Sequence, residues 1–372
     1  MLPTTGPRGP LFGLAVSAGF VLLFVFGFLA WQSPPQLPQL PKSTTHVEMT
    51  VTNEGTAKLG IHEIIRQLYQ PLKIAPDESS FSFIGEDLNL TSLTLPRDPR
   101  YTKQMGKDVL ILDLETRPLE STEAFNHGLF DWRKLNHVSG GVFSHYIYSL
   151  IHGYDYKFVH AHEFEDRHAT WIKPSALAQH IKNYKFIVFL DADATFRFQH
   201  LPLEWMFNYW QIKPEHSFTM ALDPWDPEAP QYNSDRFNRT YTNTGFMVVQ
   251  NNAHTMQILK DWHECPDDTR YKGCSEWKMP KFHEQSAFGE YIRYDYADYV
   301  KELQCAEANG FPGVEVSNCQ GKYVRHYWFE KQKIKEDLQQ NMMNAITLPI
   351  QRIFAENIGG IITEQKENVL PN

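Results

Sequence analysis

Residues 186–190, Phe-Ile-Val-Phe-Leu, are an unbroken apolar run, and Asp191 and Asp193 follow it. A run of that length with no polar face reads as a strand covered on both sides, as in sheets buried under helices. Two earlier segments repeat the sign. Val109–Leu112 lies in "DVLILDLET", and "YKFVHAHEF" spans 156–164. Between them "GGVFSHYIYSLIHGY" looks helical, starting after the glycine pair at 140–141. "KPSALAQHIKNY" leads into the third run and carries Pro174 where a first helical turn tolerates it. Strand, helix, strand, helix, strand predicts an α/β fold with a parallel sheet covered by helices.

Asp191 and Asp193 then sit where the third strand ends. Where a strand breaks into a turn, two carboxylates can converge on one cation, and oxygen donors suit magnesium or manganese. The C-terminal edge of a parallel sheet is also where open α/β folds bind ligands. A metal held there could bridge to a diphosphate.

Other readings compete. "FLDADAT" fits the D-x-D-x-T pattern of HAD-type phosphatases, with Asp191 attacking phosphorus and Asp193 as acid and base. That fold needs a later acidic pair after a strand, whereas Asp267 and Asp268 follow a helical segment. "LILDLET" resembles the first motif of DEDD exonucleases, with Asp113 and Glu115 on a metal. A net charge of −9 disfavours a nucleic-acid partner. Finally, an acid after a strand is common without any ligand, so the pair needs neighbours.

Downstream, "SFTMALDP" (217–224) and "TGFMVVQNN" (244–252) are strand-like. "AHTMQILKDWHEC" (253–265) and "HEQSAFGEYIRY" (from 283) are helical, and "KYVRHYWFEK" (322–331) is a short strand or loop. Upstream, "KLGIHEIIRQLYQ" (58–70) has helical spacing and stops at Pro71, while 76–104 is mixed and loop-like. A marginal helix and a polar end are expected from about residue 346.

The N-terminus limits the setting. Residues 11–31 carry no charged side chain, and a helix of that length spans a bilayer core. Arg8 precedes it and Trp31 closes it, which places the N-terminus in the cytosol. The apolar run is long for a cleaved signal peptide. Pro34, Pro35, Pro38 and Pro41 then mark an extended stem. The expected organisation is a cytosolic tail (1–10), a membrane anchor (11–31), a stem (32–57), a small N-terminal extension (58–104), a catalytic domain (105–345) and a C-terminal tail (346–372).

Cys265, Cys274, Cys305 and Cys319 are all the cysteines, and an even count in a lumenal domain permits two disulfides. Sequential pairing is one of three connectivities. Asn89 and Asn238 begin N-glycosylation sequons.

The block from His152 to Phe196 supplies the neighbours. It contains His152-Gly153-Tyr154, Arg167, Trp171 with Lys173, and Asp191-Ala192-Asp193-Ala194. In that order it resembles glycosyltransferase family 34, the fungal α-galactosyl- and α-mannosyltransferases related to plant xyloglucan xylosyltransferases. "NTGFMVVQNN" from Asn243 resembles the family's N-x-G strand, with Gln250 where the family has arginine. "HEQSAF" resembles its acidic-Asp-Gln-Ser segment, with Glu284 in place of Asp. "VRHYWFEK" matches the late His through His326 but lacks the following Gly and Cys. The resemblance covers about residues 105–335.

That resemblance implies a GT-A type nucleotide-diphospho-sugar transferase fold, with a Rossmann-like, mostly parallel sheet, behind a single N-terminal transmembrane helix. It implies a retaining, metal-dependent type II Golgi membrane enzyme that moves galactose or mannose from a UDP- or GDP-sugar to a mannose-containing glycan. Asp191, Asp193 and His326 would hold manganese. Lys173 and Arg167 would meet the diphosphate or nucleotide, with Lys322 and Lys331, either side of His326, as weaker phosphate candidates. Gln285 and Glu284 would stand beside the transferred sugar, with Asp193 facing it. Asp223, Trp225 and Asp226 in "LDPWDPEAP", with Asn243 and Thr244, would line the sugar cleft. The competing class is a membrane-tethered, non-catalytic relative that binds glycans or scaffolds a transferase complex.

Overall fold

The computed structural model describes residues 60–70, 72–118, 131–314 and 318–361. The expected anchor at 11–31, the stem at 32–57 and the last residues of the tail lie outside them. Among the described residues no helix is long and apolar enough to cross a membrane.

The chain enters through α1 (Ile61–Tyr69) and a hairpin of β1 (Ser80–Ile84) and β2 (Leu90–Thr94). The 76–104 stretch, mixed and loop-like by sequence, contains this hairpin. The hairpin forms because Phe81 and Phe83 alternate with serines and pack on Phe198, at ring distances of 4.9 and 4.7 Å. Sequon residues Asn89 and Asn238 are both exposed.

The central sheet begins at β3 (Val109–Glu115). Helix α2 (His137–His152) returns the chain to β4 (Asp155–His160), and α3 (Ile172–Ile181) returns it to β5 (Phe186–Leu190). After β6 (Ala194–Phe196) and α4 (Leu203–Tyr209) come β7 (Phe218–Leu222), β8 (Thr242–Gln250), α5 (Thr255–His263), α6 (His283–Ala287), β9 (Val300–Leu303), α7 (Cys305–Ala308), β10 (Val324–His326) and α8 (Lys333–Glu356). Six strands make one sheet in the order β4-β3-β5-β8-β7-β9. Strands β4, β3 and β5 pair in parallel, as do β7 and β9, while β8 runs against both its neighbours.

The strand alternation explains the layers. Val109, Ile111 and Val188 face a core shared with Tyr148 of α2 and Phe207 of α4. Leu110, Leu112, Ile187 and Phe189 face the opposite core, with Leu177 of α3 and Trp262 of α5. A mixed α/β sheet buried on both faces results.

Two helices begin earlier than expected. Helix α2 starts at His137, where the Asn136 side chain accepts from Ser139 N, so the glycine pair lies inside it. A Cβ on Gly141 would come within 2.0 Å of the Ala192 carbonyl oxygen, so the missing side chain lets α2 approach the Asp191–Asp193 turn. Helix α8 starts at Lys333 and crosses the expected boundary at 345/346. Leu338 and Ala345 anchor it in a core with Ile147 and Ile151 of α2. Both disulfides are sequential, Cys265–Cys274 and Cys305–Cys319.

Candidate active site

The turn after β5 is fixed from three sides. Asp191 N donates to Gly245 O of β8 at 2.8 Å, and Ala194 N donates to Asp191 O at 2.9 Å. Strand β6 then pairs antiparallel with β10, placing His326 opposite Ala194. Tyr327 N donates to Asp193 O at 2.8 Å. These bonds bring one donor atom each of Asp191, Asp193 and His326 within 4.8 Å of one another. The set could coordinate a metal ion: two carboxylates and an imidazole suit a borderline-hard divalent cation. Trp328 Nε1–H donates to His326 Nδ1 at 3.0 Å, so the ring proton lies on Nε2, 3.1 Å from Asp193 Oδ1. A cation bound between these atoms would take that proton's place.

Behind the turn stands a buried relay. His145 of α2 is fully buried, with Nδ1 2.7 Å from Asp113 Oδ1 and Nε2 2.9 Å from Ala194 O. Tyr156 OH donates to the second Asp113 oxygen at 2.6 Å. Burial disfavours the imidazolium, but Asp113 outweighs it and holds the His145 pKa above its usual value. Glu115 accepts from Arg117 Nε at 2.8 Å and Nη2 at 2.7 Å. Asp113 and Glu115 are therefore engaged structurally, not as an exonuclease metal pair.

In front of the turn the charges alternate. Lys173 Nζ lies 3.1 Å from Asp191 Oδ1 and 3.1 Å from Glu284 Oε1, and the lysine is almost wholly buried. Burial would lower its pKa, yet the two carboxylates raise it. Burial would likewise raise Glu284, but Lys173 holds it low. Asp193 is pulled below the carboxylate range against its burial, first by His326 and then by Lys331, whose Nζ is 2.6 Å from Asp193 Oδ2. Burial pushes Asp191 up, opposed by Lys173.

Gln285 is held at both ends of its amide. Nε2 donates to Asp223 Oδ2 at 2.7 Å, and Oε1 accepts from Thr244 N at 3.0 Å. Asn243 Nδ2 donates to Asp223 Oδ1 at 2.7 Å, and Thr244 Oγ1 donates to Glu284 Oε1 at 3.0 Å. Burial raises Asp223 despite these donors. Asn243, Thr244, Asp223, Glu284, Gln285, Lys173, Asp191, Asp193 and His326 thus form one connected cluster.

Two cavities meet at the acidic turn. One of about 460 Å³ is lined by Glu115, Thr116, Arg117, His137, His168 and Lys173, beyond the ends of β3 and β5. The other, of about 650 Å³, is lined by Asp223, Asp226, Asn243, Gln285, His326 and Trp328. Asp191, Asp193 and Lys331 border both.

Three expected site residues fall elsewhere. The Arg167 guanidinium stacks over Phe164 and pairs with Asp166 at 2.9 Å and Asp267 at 3.6 Å, outside either cavity. Lys322 pairs with Glu307 and lies over Tyr209, so of the two lysines flanking His326 it is Lys331 that reaches the turn. Trp225 is 38% exposed and borders neither cavity, although Asp223 and Asp226 do. Sequence reasoning missed Asn309, whose Nδ2 is 3.3 Å from Asp223 Oδ1. In "EANGF" it looks like a turn asparagine, and nothing local marks it. It also missed Arg117 and His168, which gain their place only when β3 and α3 come together.

A buried mixed sheet carries an acidic turn at its edge, with a late histidine and two cavities beside it, an arrangement compatible with a nucleotide-sugar transferase of GT-A-like fold. Residues 141–345 match the nucleotide-diphospho-sugar transferase family, and the chain belongs to it. Solved structures that match part of the chain include a glycosyltransferase involved in glycosylation of the major capsid of PBCV-1, 14% identical over 62% of this chain and 98% of its own, with a TM-score of 0.43. The galactosyltransferase LgtC, solved with donor and acceptor sugar analogues, is 11% identical over 62% of this chain and 95% of its own, with a TM-score of 0.34. Mouse xyloside xylosyltransferase 1 is 12% identical over 61% and 99%, with a TM-score of 0.36. No curated protein matches the chain.

Proposed function

We propose that this protein is a retaining, manganese-dependent glycosyltransferase of family 34, moving galactose or mannose from a UDP- or GDP-sugar to an α-mannoside glycan. The observation that carries the reading is the Asp191–Asp193–His326 cluster between two cavities. The smaller cavity, bounded by β3, β5 and α3, suits the nucleotide, and the larger one suits the donor sugar and the acceptor. The order of motifs from His152 to Asp193 supports family 34.

Asp191, Asp193 and His326 would hold the cation, which when bound offsets charge on the departing diphosphate as a Lewis acid. Lys331 and Lys173 place two ammonium groups on the same turn: Lys173 counters Asp191 and Glu284, and the more exposed Lys331 counters Asp193 and can meet phosphate oxygens. Gln285, locked by Asp223 and Thr244, presents a fixed amide to the sugar cavity. Glu284 is tied to Lys173 and Thr244, so it holds that lysine against the turn. No residue is assigned as nucleophile, and the proposed route is front-face substitution, with the leaving phosphate accepting the acceptor proton. Galactose and mannose differ in hydroxyl orientation, which a few polar contacts such as Asp226 and Asn243 would read.

The proposed setting is the Golgi membrane, with residues 11–31 as a signal anchor and the catalytic domain lumenal. Paired cysteines and exposed sequons are compatible with a lumenal domain. Assembly with another transferase subunit belongs to the same proposal.

The test is turnover of a panel of UDP- and GDP-sugars with manganese, with and without a methyl α-mannoside acceptor. One donor should be consumed, the product should be α-linked, and Asp191→Asn should be silent. Binding of glycan without turnover of any donor would overturn catalysis in favour of a scaffolding relative.

A further inference from the structure

The sugar cavity does not end at Gln285. Tyr232 and Phe282 line it and also line a second cavity of about 360 Å³. Arg236 and Glu290 line that second cavity and a third of about 410 Å³, which Phe237, Tyr291 and Tyr294 complete. Three hollows therefore share walls in succession, starting at the acidic turn.

The walls have sugar-binding chemistry. Tyr232 is 57% exposed and Phe237 63%, large apolar surfaces left to water unless something covers them. Cations stand over the rings: Lys281 Nζ is 3.1 Å from the Tyr232 centroid, and the Arg236 guanidinium is 4.4 Å from that of Tyr291. Pyranose rings offer apolar C–H faces to aromatic rings and hydroxyls to neighbouring charges. Exposed Tyr232 and Phe237, each with a cation beside its ring, match that pattern.

The junction is strained. Phe282 and His283 have φ of 65° and 44°, two successive non-glycine residues in the left-handed region immediately before Glu284 and Gln285. Such backbone persists only where its surroundings hold it. Tyr232 and Tyr241 hold the Phe282 ring, at 5.9 and 6.3 Å. The strain places an aromatic ring at the boundary between the first and second cavities.

Resting on the glycosyl-transfer reading, we propose that the acceptor is a glycan chain of several sugar residues, whose distal residues run from the transfer cavity across Tyr232 and Phe282 toward Phe237. The chain's reacting end lies at Asp223 and Gln285, and its later residues contribute affinity along the trough.

The experiment is calorimetric binding of methyl α-mannoside and linear α-manno-oligosaccharides of two to five residues, beside donor turnover with the same series. Affinity should tighten by at least about tenfold between one and four residues. Phe237→Ala should remove the gain from the last residues added, and Phe282→Ala the gain from the second onward. Because Phe237 is exposed, its truncation tests the trough even where Phe282→Ala unfolds the loop. Equal affinity at every length, or no binding at any length, overturns the trough. Loss of all donor turnover with length-dependent binding intact would sink the transferase reading and leave the trough standing.

Discussion

His326 Nε2 meets Asp193 Oδ1 at 3.1 Å across 133 residues of chain, in a pocket that Gly245 keeps open. A Cβ on Gly245 would fall 2.2 Å from His326 Cε1, so any side chain there displaces the imidazole. Gly245→Ala should therefore act as a metal-site mutation. Manganese affinity, read by calorimetry or electron paramagnetic resonance, should fall at least about tenfold, since even outer-shell partners of metal ligands cost 10–100-fold. His326→Ala should lose about 100-fold or more on the same scale. Unchanged manganese binding in both variants would exclude His326 as a ligand. A cation held at His326 Nε2 would require the ring proton on Nδ1, which could then no longer accept from Trp328. Tryptophan fluorescence should change on manganese titration, and the change should vanish in Trp328→Phe.

Two buried histidines give stability opposite pH dependences. The His145 pKa is raised because Asp113 outweighs burial, so its stabilisation is full below the unfolded value of about 6.5 and is lost as pH rises through the higher folded value. Burial depresses His152 to about 3, with Nε2 bonded to Gln199 O and Nδ1 unpartnered. Its unfolded form takes up a proton first, so stability falls by up to about 1.4 kcal/mol per pH unit below about 6.5 until the folded form also titrates. Urea midpoints from pH 4 to 9 should show His145→Gln losing the alkaline fall and His152→Gln losing the acid one. Parallel profiles in wild type and both variants would refute these environments.

The sequence made the α/β alternation visible because each buried strand is a short apolar run and each helix carries its own spacing. Asp191 and Asp193 were visible for the same reason, as acids at the end of such a run. His326 was visible only through family resemblance, since an imidazole in "VRHYWF" looks like a packing residue until β10 pairs with β6. Lys173 looked like a phosphate ligand on a helix, and only the fold shows it buried between Asp191 and Glu284. Arg167 and Lys322 went the other way. Each has an acid within reach, Asp166 adjacent in sequence to Arg167 and Glu307 fifteen residues before Lys322, and that ion pair outcompetes the site. The hairpin at 80–94 was hidden by its serines and threonines, which look loop-like until the phenylalanines find Phe198. The start of α8 was hidden because its buried stripe, Ile334, Leu338 and Ala345, is thin within a polar run.

The Cys305–Cys319 bridge supports the site as well as the fold. It closes a loop of sequence separation 14 and sits against Gly310, whose carbonyl accepts from His326 N at 2.8 Å. Cys305→Ser with Cys319→Ser should cost about 3 kcal/mol, the loop-entropy value for a ring of that size. Manganese affinity should fall with it, because β10 loses its brace. Denaturant melts and metal titrations on the double variant measure both. Full stability with weakened metal binding would leave the bridge a purely local role.

Lys173 carries the largest stability prediction. Its ammonium is the positive charge between two carboxylates, one of which, Glu284, is itself almost fully buried. Removing one member of such a group leaves uncompensated charge in a poorly hydrated place, which costs about 3–5 kcal/mol. Lys173→Met should therefore destabilise by that order although its side chain stays apolar and long. Glu284→Gln alone should cost less, since Lys173 keeps Asp191 at 3.1 Å and Thr244 O at 3.3 Å. Combined, the two changes should be less harmful than their sum, with a coupling of about 0.5–3 kcal/mol in a double-mutant cycle. Additive effects would mean that Lys173 answers mainly to Asp191. In that case its role is to hold the metal-side carboxylate ionised, and adding manganese should rescue Lys173→Met far more than it stabilises the wild type.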